Sequence, residues 1–168
     1  MNLFLLRHGL AVEGGDLDYA HDFARPLTLA GRSQLHQIAT ALRLMALRFD
    51  VIFSSPLVRA QETAGIVAAA LKIKTEPAPV DELKPDGDMK KLMQRIAALA
   101  PPPENILLVG HEPDLSQLIS LLVTGKTTAG FALKKSGLAK LEIEKELRAG
   151  KCAILAWLLT PGQMELMG

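Results

Sequence analysis

The stretch Leu3-Phe4-Leu5-Leu6-Arg7-His8-Gly9 decides the fold of this chain. Its apolar part, Leu3–Leu6, is continuous, which is typical of a strand buried on both faces of a parallel sheet. Val51–Phe53 and Ile106–Val109 repeat this pattern further along the chain. The three runs therefore predict three buried strands.

Helical patterns lie between these strands. Apolar side chains recur every three or four residues in four segments, which predicts four helices. The segments are Leu35–Leu42, Leu57–Leu71, Leu92–Leu99 and Leu115–Leu122. Thr28 and Asp88 are predicted as N-caps of the first and third helix. Strands that alternate with helices predict a mainly parallel α/β sheet with right-handed crossovers.

The C-terminal part follows another pattern. Polar and apolar residues alternate in Lys140–Glu144, which favours an edge strand with one wet face, and Cys152–Leu159 is its predicted partner. Pro101–Pro103 lies between a helix and a strand of the same α/β pattern, so we predict one domain over residues 1–168. Cys152 is expected to be a buried, inert thiol.

Composition limits the partners. The chain has 19 basic and 18 acidic residues and a net charge of +1, which argues against nucleic acid and membrane surfaces as partners. No apolar run approaches the roughly 20 residues of a membrane span. The N-terminal apolar stretch is too short for a secretion signal. We expect a soluble, cytoplasmic protein.

Two arginines and two histidines follow the predicted strands. Arg7 and His8 follow the first strand, Arg59 lies one turn into the helix after the second, and His111 follows the third. Ligands of open α/β sheets bind beyond the carboxyl ends of the strands, where these four residues should converge. Guanidinium forks match phosphate oxygens, and a neutral imidazole can attack phosphorus. The pattern predicts a phosphoryl-transfer site that needs neither a metal nor a cofactor.

Arg59 is unfavourably placed unless it meets an anion. Ser55 is predicted as the N-cap and Pro56 as the first helical residue, which puts Arg59 near the positive end of the helix dipole. A cation there costs about 0.3–1 kcal/mol. The free N–H groups of the same helix start favour a phosphate. Arg7 and Arg59 are also expected to disfavour protonation of His8.

Three segments resemble the histidine phosphatase superfamily, namely Leu5–Gly9, Ser54–Ala64 and Val109–Pro113. Arg25–Gly31, together with the Leu-Ala pair after Gly9, resembles its SixA-type phosphohistidine phosphatase branch. The resemblance implies a phosphoglycerate mutase-like, three-layer sandwich. That fold has a mainly parallel central sheet, helices on both faces and a C-terminal antiparallel strand pair.

The resemblance also implies a covalent mechanism. His8 would accept the phosphate, and Arg7, Arg59 and His111 would complete the pocket. Larger members carry helical material over the site, whereas segment 60–110 holds little more than one short helix, so we expect an open site. A phosphorylated histidine-containing phosphotransfer protein is the predicted substrate, and a small phosphorylated metabolite of a phosphomonoesterase is the alternative.

The general acid stays open. Glu82 lies roughly where the mutase branch carries a catalytic glutamate, with a solvated loop charge as the alternative. Glu112 lies where acid phosphatases of the superfamily use an aspartate, although a cap on the next helix is the preferred interpretation. Lack of a committed acid suits a P–N substrate, because an imidazole leaves more readily than an alkoxide.

Other interpretations remain. A mutase would need an acid and room for its substrate to turn, and a non-catalytic phosphate-binding module would use the same four residues. A zinc hydrolase would use His8 and His111, but no third ligand has a convincing spacing. His36 is expected on an exposed helix face. His21 lies in the polar loop Val12–Pro26, which is expected to be solvated, with a wall of the site as the alternative.

Overall fold

The computed structural model describes residues 1–13 and 22–168, and within them strands and helices alternate along most of the chain. The strands are β1 (Asn2–Arg7), β2 (Val51–Ser54), β3 (Ala78–Pro79), β4 (Asn105–Gly110), β5 (Leu138–Ile143) and β6 (Ala153–Leu159). The helices are α1 (Leu29–Leu44), α2 (Val58–Ala70), α3 (Met89–Ala97), α4 (Asp114–Thr124) and α5 (Pro161–Glu165). Short 3-10 helices span Asp22–Ala24 and Asp81–Leu83. No helix in these described ranges is long and apolar enough to cross a membrane.

All six strands form one sheet in the order β3-β2-β4-β1-β5-β6. The first four in this order are parallel, and β5 and β6 add antiparallel to β1 and to each other. The mainly parallel sheet with a C-terminal antiparallel pair is thereby confirmed. The edge position predicted for the alternating strand is wrong, because β5 lies between β1 and β6. β3 was not predicted, since two residues are too few to show a period.

The two faces of the sheet carry separate cores. Successive side chains of a strand point to opposite faces. Phe4 and Leu6 of β1 pack with residues of α1 and α2, whereas Leu3 and Leu5 pack with residues of α3 and α4. This arrangement is the predicted three-layer sandwich.

Helix starts follow the predicted caps in two of three cases. The Thr28 hydroxyl accepts from the Gly31 amide at 2.9 Å, and the Asp88 carboxylate accepts from two amides at the start of α3. Ser55 was wrongly predicted as the cap of α2. That helix begins at Val58 without a side-chain cap. The Ser55 hydroxyl lies 2.8 Å from His111 Nε2 instead, and Arg59 still lies in the first turn.

Candidate active site

Strand pairing brings the four predicted residues to one edge of the sheet. Arg7, the last residue of β1, pairs with Gly110, the last residue of β4, so His8 and His111 leave neighbouring strands side by side. Their ring centroids are 5.0 Å apart. From α2, Arg59 reaches both rings, with Nε 3.3 Å from His8 Nε2 and Nη2 3.3 Å from His111 Nδ1.

A backbone carbonyl assigns the tautomer of His8. Its Nδ1 lies 2.7 Å from the carbonyl oxygen of Gly9. A carbonyl oxygen can only accept, so Nδ1 carries the proton and Nε2 keeps its lone pair. Arg59 Nε donates toward this same Nε2. The nitrogen that can attack phosphorus is therefore Nε2, and it faces an arginine.

His8 is neutral over a wide pH range. Burial lowers the pKa of His8 to about 3, and the charges of His111, Arg59 and Arg7 act in the same direction, while the hydrogen bond to Gly9 opposes them. The direction is the one predicted, but burial rather than the arginines is the main cause. A neutral imidazole has the free lone pair that nucleophilic attack requires.

His111 is held by two polar partners. Arg59 Nη2 can only donate, so His111 Nδ1 accepts and His111 Nε2 donates to Ser55 Oγ at 2.8 Å. Burial, followed by the charge of Arg59, lowers the pKa of His111 to about 4. His111 is therefore neutral near pH 7 in the site as it stands. A phosphoryl dianion beside the ring would raise this pKa.

Arg7 carries an unsatisfied donor into the site. Its Nη1 donates to the Leu133 carbonyl at 3.0 Å. Its Nε and the hydroxyl of Ser136 are the buried side-chain polar atoms without a partner among the described residues. Ser136 lies close by, since its amide donates to the carbonyls of Arg7 and His8 at 3.1 Å each. An unmet donor costs about 1–3 kcal/mol, so an anion bound here would be stabilised.

Asp22 contacts the site, which agrees with the alternative interpretation of loop Val12–Pro26 as a wall of the site. Its backbone carbonyl accepts from Arg59 Nη1 at 2.7 Å, and its Oδ2 accepts from Arg59 Nη2 at 3.0 Å. The sequence predicted Asp22 as one acid of a solvated loop. Most of that loop, including His21, lies outside the described residues. No spacing rule links residues so far apart in the chain, so this contact was not predictable.

Thr63 joins the turn after His8 to helix α2. Its hydroxyl accepts from the Gly9 amide at 3.1 Å and donates to the Arg59 carbonyl at 2.7 Å. Thr63 is fully buried. A signal for it existed in the sequence, because it lies one helical turn after Arg59 on the same face.

The two candidate acids are engaged by neighbours. Glu82 shares a narrow cavity with His111, but Arg95 holds its carboxylate through Nε at 3.2 Å and Nη2 at 2.8 Å. This hydrogen bonding from Arg95 lowers the pKa of Glu82. The Glu112 carboxylate accepts from the amide and the hydroxyl of Ser116. Glu112 thereby caps the start of α4, which is the interpretation that the sequence favoured. Both side chains are therefore placed as hydrogen-bonded carboxylates rather than as proton donors.

The expected open pocket is narrower than predicted. His8, Arg59 and His111 are only 7%, 4% and 3% exposed, because they pack against one another and against Asp22. Contacts at 3.3 Å are long for hydrogen bonds and are readily replaced by charge-assisted bonds to phosphate.

Comparisons with known proteins agree with this geometry. The model of the histidine phosphatase superfamily (branch 1) matches residues 3–84. The phosphohistidine phosphatase SixA of Escherichia coli is 30% identical over 78% of this chain and 80% of that protein. An uncharacterized protein of Picosynechococcus is 36% identical over 84% of each chain. A structure of the protein histidine phosphatase SixA complexed with tungstate superimposes with a TM-score of 0.82 at 26% identity, covering 96% of this chain and 98% of that one.

Fold, site and relatives together define a phosphatase that belongs to the histidine phosphatase superfamily. Within that superfamily, the likeness to SixA in both sequence and structure places the chain in the SixA-type branch.

Proposed function

We propose that the chain is a phosphohistidine phosphatase that removes phosphate from a histidine-containing phosphotransfer protein through a phosphohistidine on His8. This proposal rests on the neutral form of His8 and on the hydrogen bonds that engage Glu82 and Glu112. A neutral His8 stands ready to attack, while Glu82 is tied to Arg95 and Glu112 to Ser116. A site in which the two candidate acids are both engaged by neighbours suits a leaving group that departs without much acid help, and imidazole is such a group.

In the first step, His8 Nε2 attacks the phosphorus of the substrate phosphohistidine. The new N–P bond forms as the P–N bond to the substrate breaks. Its electron pair stays on the departing imidazole nitrogen, which takes up a proton from water. We expect the unpartnered Arg7 Nε and the Nε/Nη2 edge of Arg59 to hold the phosphoryl oxygens as charge spreads over them.

In the second step, water attacks the phosphorus of the phosphorylated His8. The N–P bond breaks, its electron pair returns to Nε2, and phosphate leaves with the oxygen and one proton of that water, while the other proton neutralises the hydroxide left by the first step. The hydrogen bond from Nδ1 to the Gly9 carbonyl holds the ring in the same orientation in both steps. His8 thus serves first as nucleophile and then as leaving group.

Two further observations support a protein substrate. SixA of Escherichia coli, which this chain resembles over most of its length, is named a phosphohistidine phosphatase. After α2, the segment between Arg59 and His111 contains the sheet strands β3 and β4, helix α3 and a short 3-10 helix, so α3 is its one further α-helix and it adds little over the site. We infer a cytoplasmic role in a phosphorelay, carried by residues 1–168 as a single domain.

The test compares three substrates with purified wild-type protein. A histidine-phosphorylated phosphotransfer protein should lose its phosphate quickly, whereas sugar phosphates and nucleotides should be hydrolysed slowly. Rapid quench with labelled substrate should trap acid-labile phosphate on the wild-type enzyme and none on His8→Ala. His36→Gln changes an exposed histidine on α1 and is the matched control with normal labelling.

The same experiment separates the alternatives. Fast release from metabolites with none from the phosphoprotein would establish a small-molecule phosphomonoesterase. Phosphate binding without turnover of any compound would establish a binding module. Loss of activity on chelation would point to a zinc hydrolase.

A further inference from the structure

The guanidinium group of Arg59 uses two different edges. Its Nε/Nη2 edge faces the imidazoles of His8 and His111, at 3.3 Å from each. Its Nη1/Nη2 edge faces Asp22, at 2.7 Å from the backbone carbonyl and 3.0 Å from the carboxylate. The planar guanidinium has separate N–H donors for the two edges. Asp22 can therefore hold Arg59 without covering the edge that faces the nucleophile.

Asp22 is in turn anchored. Arg25 Nε donates to its Oδ1 at 2.8 Å, and Arg25 Nη1 donates to the Val12 carbonyl at 3.0 Å. Val12 belongs to the chain that leaves His8, and its amide donates to the Pro26 carbonyl at 2.9 Å. The contacts therefore tie Asp22 to the same segment that carries the nucleophile.

Charge favours this arrangement. Burial by itself raises the pKa of Asp22, but hydrogen bonds from Arg59 and Arg25 outweigh it and lower the pKa below the ordinary value. The Asp22 side chain is 57% exposed while that of Arg59 is 4% exposed, so the carboxylate meets the guanidinium from the solvent side. The carboxylate thereby compensates a buried cation that has no other described carboxylate within salt-bridge distance.

We propose that Asp22 is a positioning residue, which clamps one edge of Arg59 so that the Nε/Nη2 edge is presented to the phosphoryl group beside His8. This inference rests on the proposed function of the site. An arginine side chain without such a contact samples many rotamers, and fixing one of them when phosphate binds costs conformational entropy. A clamped guanidinium is already oriented, which lowers the barrier to phosphoryl transfer.

The experiment measures the dissociation constant of inorganic phosphate by calorimetry, together with kcat and KM, for the wild type, Asp22→Asn and Asp22→Ala. Because a hydrogen bond to a charged group is lost, Asp22→Ala should weaken phosphate binding and lower kcat/KM by about tenfold to a hundredfold. Asp22→Asn keeps a hydrogen-bond acceptor, so its phosphate affinity and kcat/KM should lie between those of the wild type and Asp22→Ala. The melting temperatures should agree within a few degrees, as Asp22 is exposed. Glu142→Gln, which breaks an exposed pair with Lys140 at the far end of β5, should match the wild type.

A double-mutant cycle with Arg59→Lys decides whether Asp22 acts through Arg59. Lysine lacks the two donor edges of a guanidinium group. In the Arg59→Lys background, Asp22→Ala should therefore cause little further loss of phosphate affinity or kcat/KM. Equal losses in both backgrounds, or unchanged phosphate binding in Asp22→Ala, would overturn the proposal. Tighter phosphate binding would also overturn it, because Asp22 would then compete with the substrate. The wild type could fail to hydrolyse the phosphoprotein while phosphate binding in the double-mutant cycle changes as expected. In that case the positioning role of Asp22 is supported and the proposed substrate is wrong.

Discussion

His8 Nδ1 lies 2.7 Å from the carbonyl oxygen of Gly9, its own neighbour in the chain. A local backbone contact thus sets the tautomer of the candidate nucleophile, while Arg59 Nε from α2 contacts its other ring nitrogen at 3.3 Å. Gly9 packs closely against the next layer, since an added Cβ would meet the Leu35 side chain at 2.7 Å. The Arg-His-Gly sequence therefore supplies the imidazole, its tautomer and the space for the turn together.

Replacing His8 should abolish the reaction. His8→Ala removes the proposed phosphoryl acceptor, so kcat should fall by on the order of a thousandfold or more. His8→Asn is a second variant that keeps a polar side chain of similar reach. Both are measured with the phosphoprotein substrate, and inorganic phosphate binding checks that the pocket is intact. Substantial turnover by either variant would contradict a covalent step on His8.

Acid should destabilise the fold well before its carboxylates are protonated. The folded pKa values are about 3 for His8 and about 4 for His111, below the unfolded value near 6.5. The unfolded chain therefore binds more protons, and stability is complete above pH 6.5 and falls as the pH drops toward 4. Between pH 7 and pH 5 each histidine should lower the free energy of unfolding by about 2 kcal/mol.

Urea unfolding at several pH values measures this dependence. His8→Asn should remove roughly half of the loss between pH 7 and pH 5. A free energy of unfolding that stays constant over this interval would show that the two imidazoles are not kept neutral by burial.

Sequence alone predicted three of the four parallel strands, the helix caps at Thr28 and Asp88, and the convergence of Arg7, His8, Arg59 and His111. These features depend on short-range patterns and on one topological rule about strand ends. Asp22 was not predicted because its contact with Arg59 depends on how a loop folds back over the sheet. The cap of α2 was predicted wrongly because that helix begins only at Val58, although the Ser55 hydroxyl accepts from the Leu57 amide at 3.3 Å as well as contacting His111.

Glu82 should matter more for phosphomonoesters than for P–N substrates. Glu82→Gln removes a carboxylate that is already bound to Arg95, so phosphohistidine hydrolysis should change less than about threefold. Hydrolysis of an alkyl phosphate needs a protonated leaving group and should fall by about tenfold or more if Glu82 leaves Arg95 to donate a proton. Steady-state rates with both substrates provide the comparison. An equal, large loss with both would make Glu82 essential to the shared chemistry.

Thr63→Val should weaken both the fold and the reaction. Valine has the same shape but leaves the Gly9 amide without its acceptor, which costs about 1–3 kcal/mol. It also releases the turn after His8 from α2, so kcat should fall by about tenfold. Thr63→Ser keeps the hydroxyl and should recover most of the rate. Similar rates for the valine and serine variants would show that the bridge to Arg59 has no part in catalysis.

Ala46→Gly should stabilise the protein. Ala46 follows α1 with φ of 55°, a left-handed conformation that favours glycine, and it lies in a helix-ending motif in which Leu47 N donates to the Leu42 carbonyl at 3.1 Å. Ala46 is exposed, so no packing is lost, and relief of the backbone strain should exceed the entropy that glycine adds to the unfolded chain. The expected gain is about 0.5–1 kcal/mol in the free energy of unfolding, measured in urea at pH 7.

Gly125 ends α4 with φ of 83°, so Gly125→Ala is the matched reverse change and should lose a similar amount. Changes of the same sign in the two variants would show that something other than left-handed backbone strain governs these helix ends.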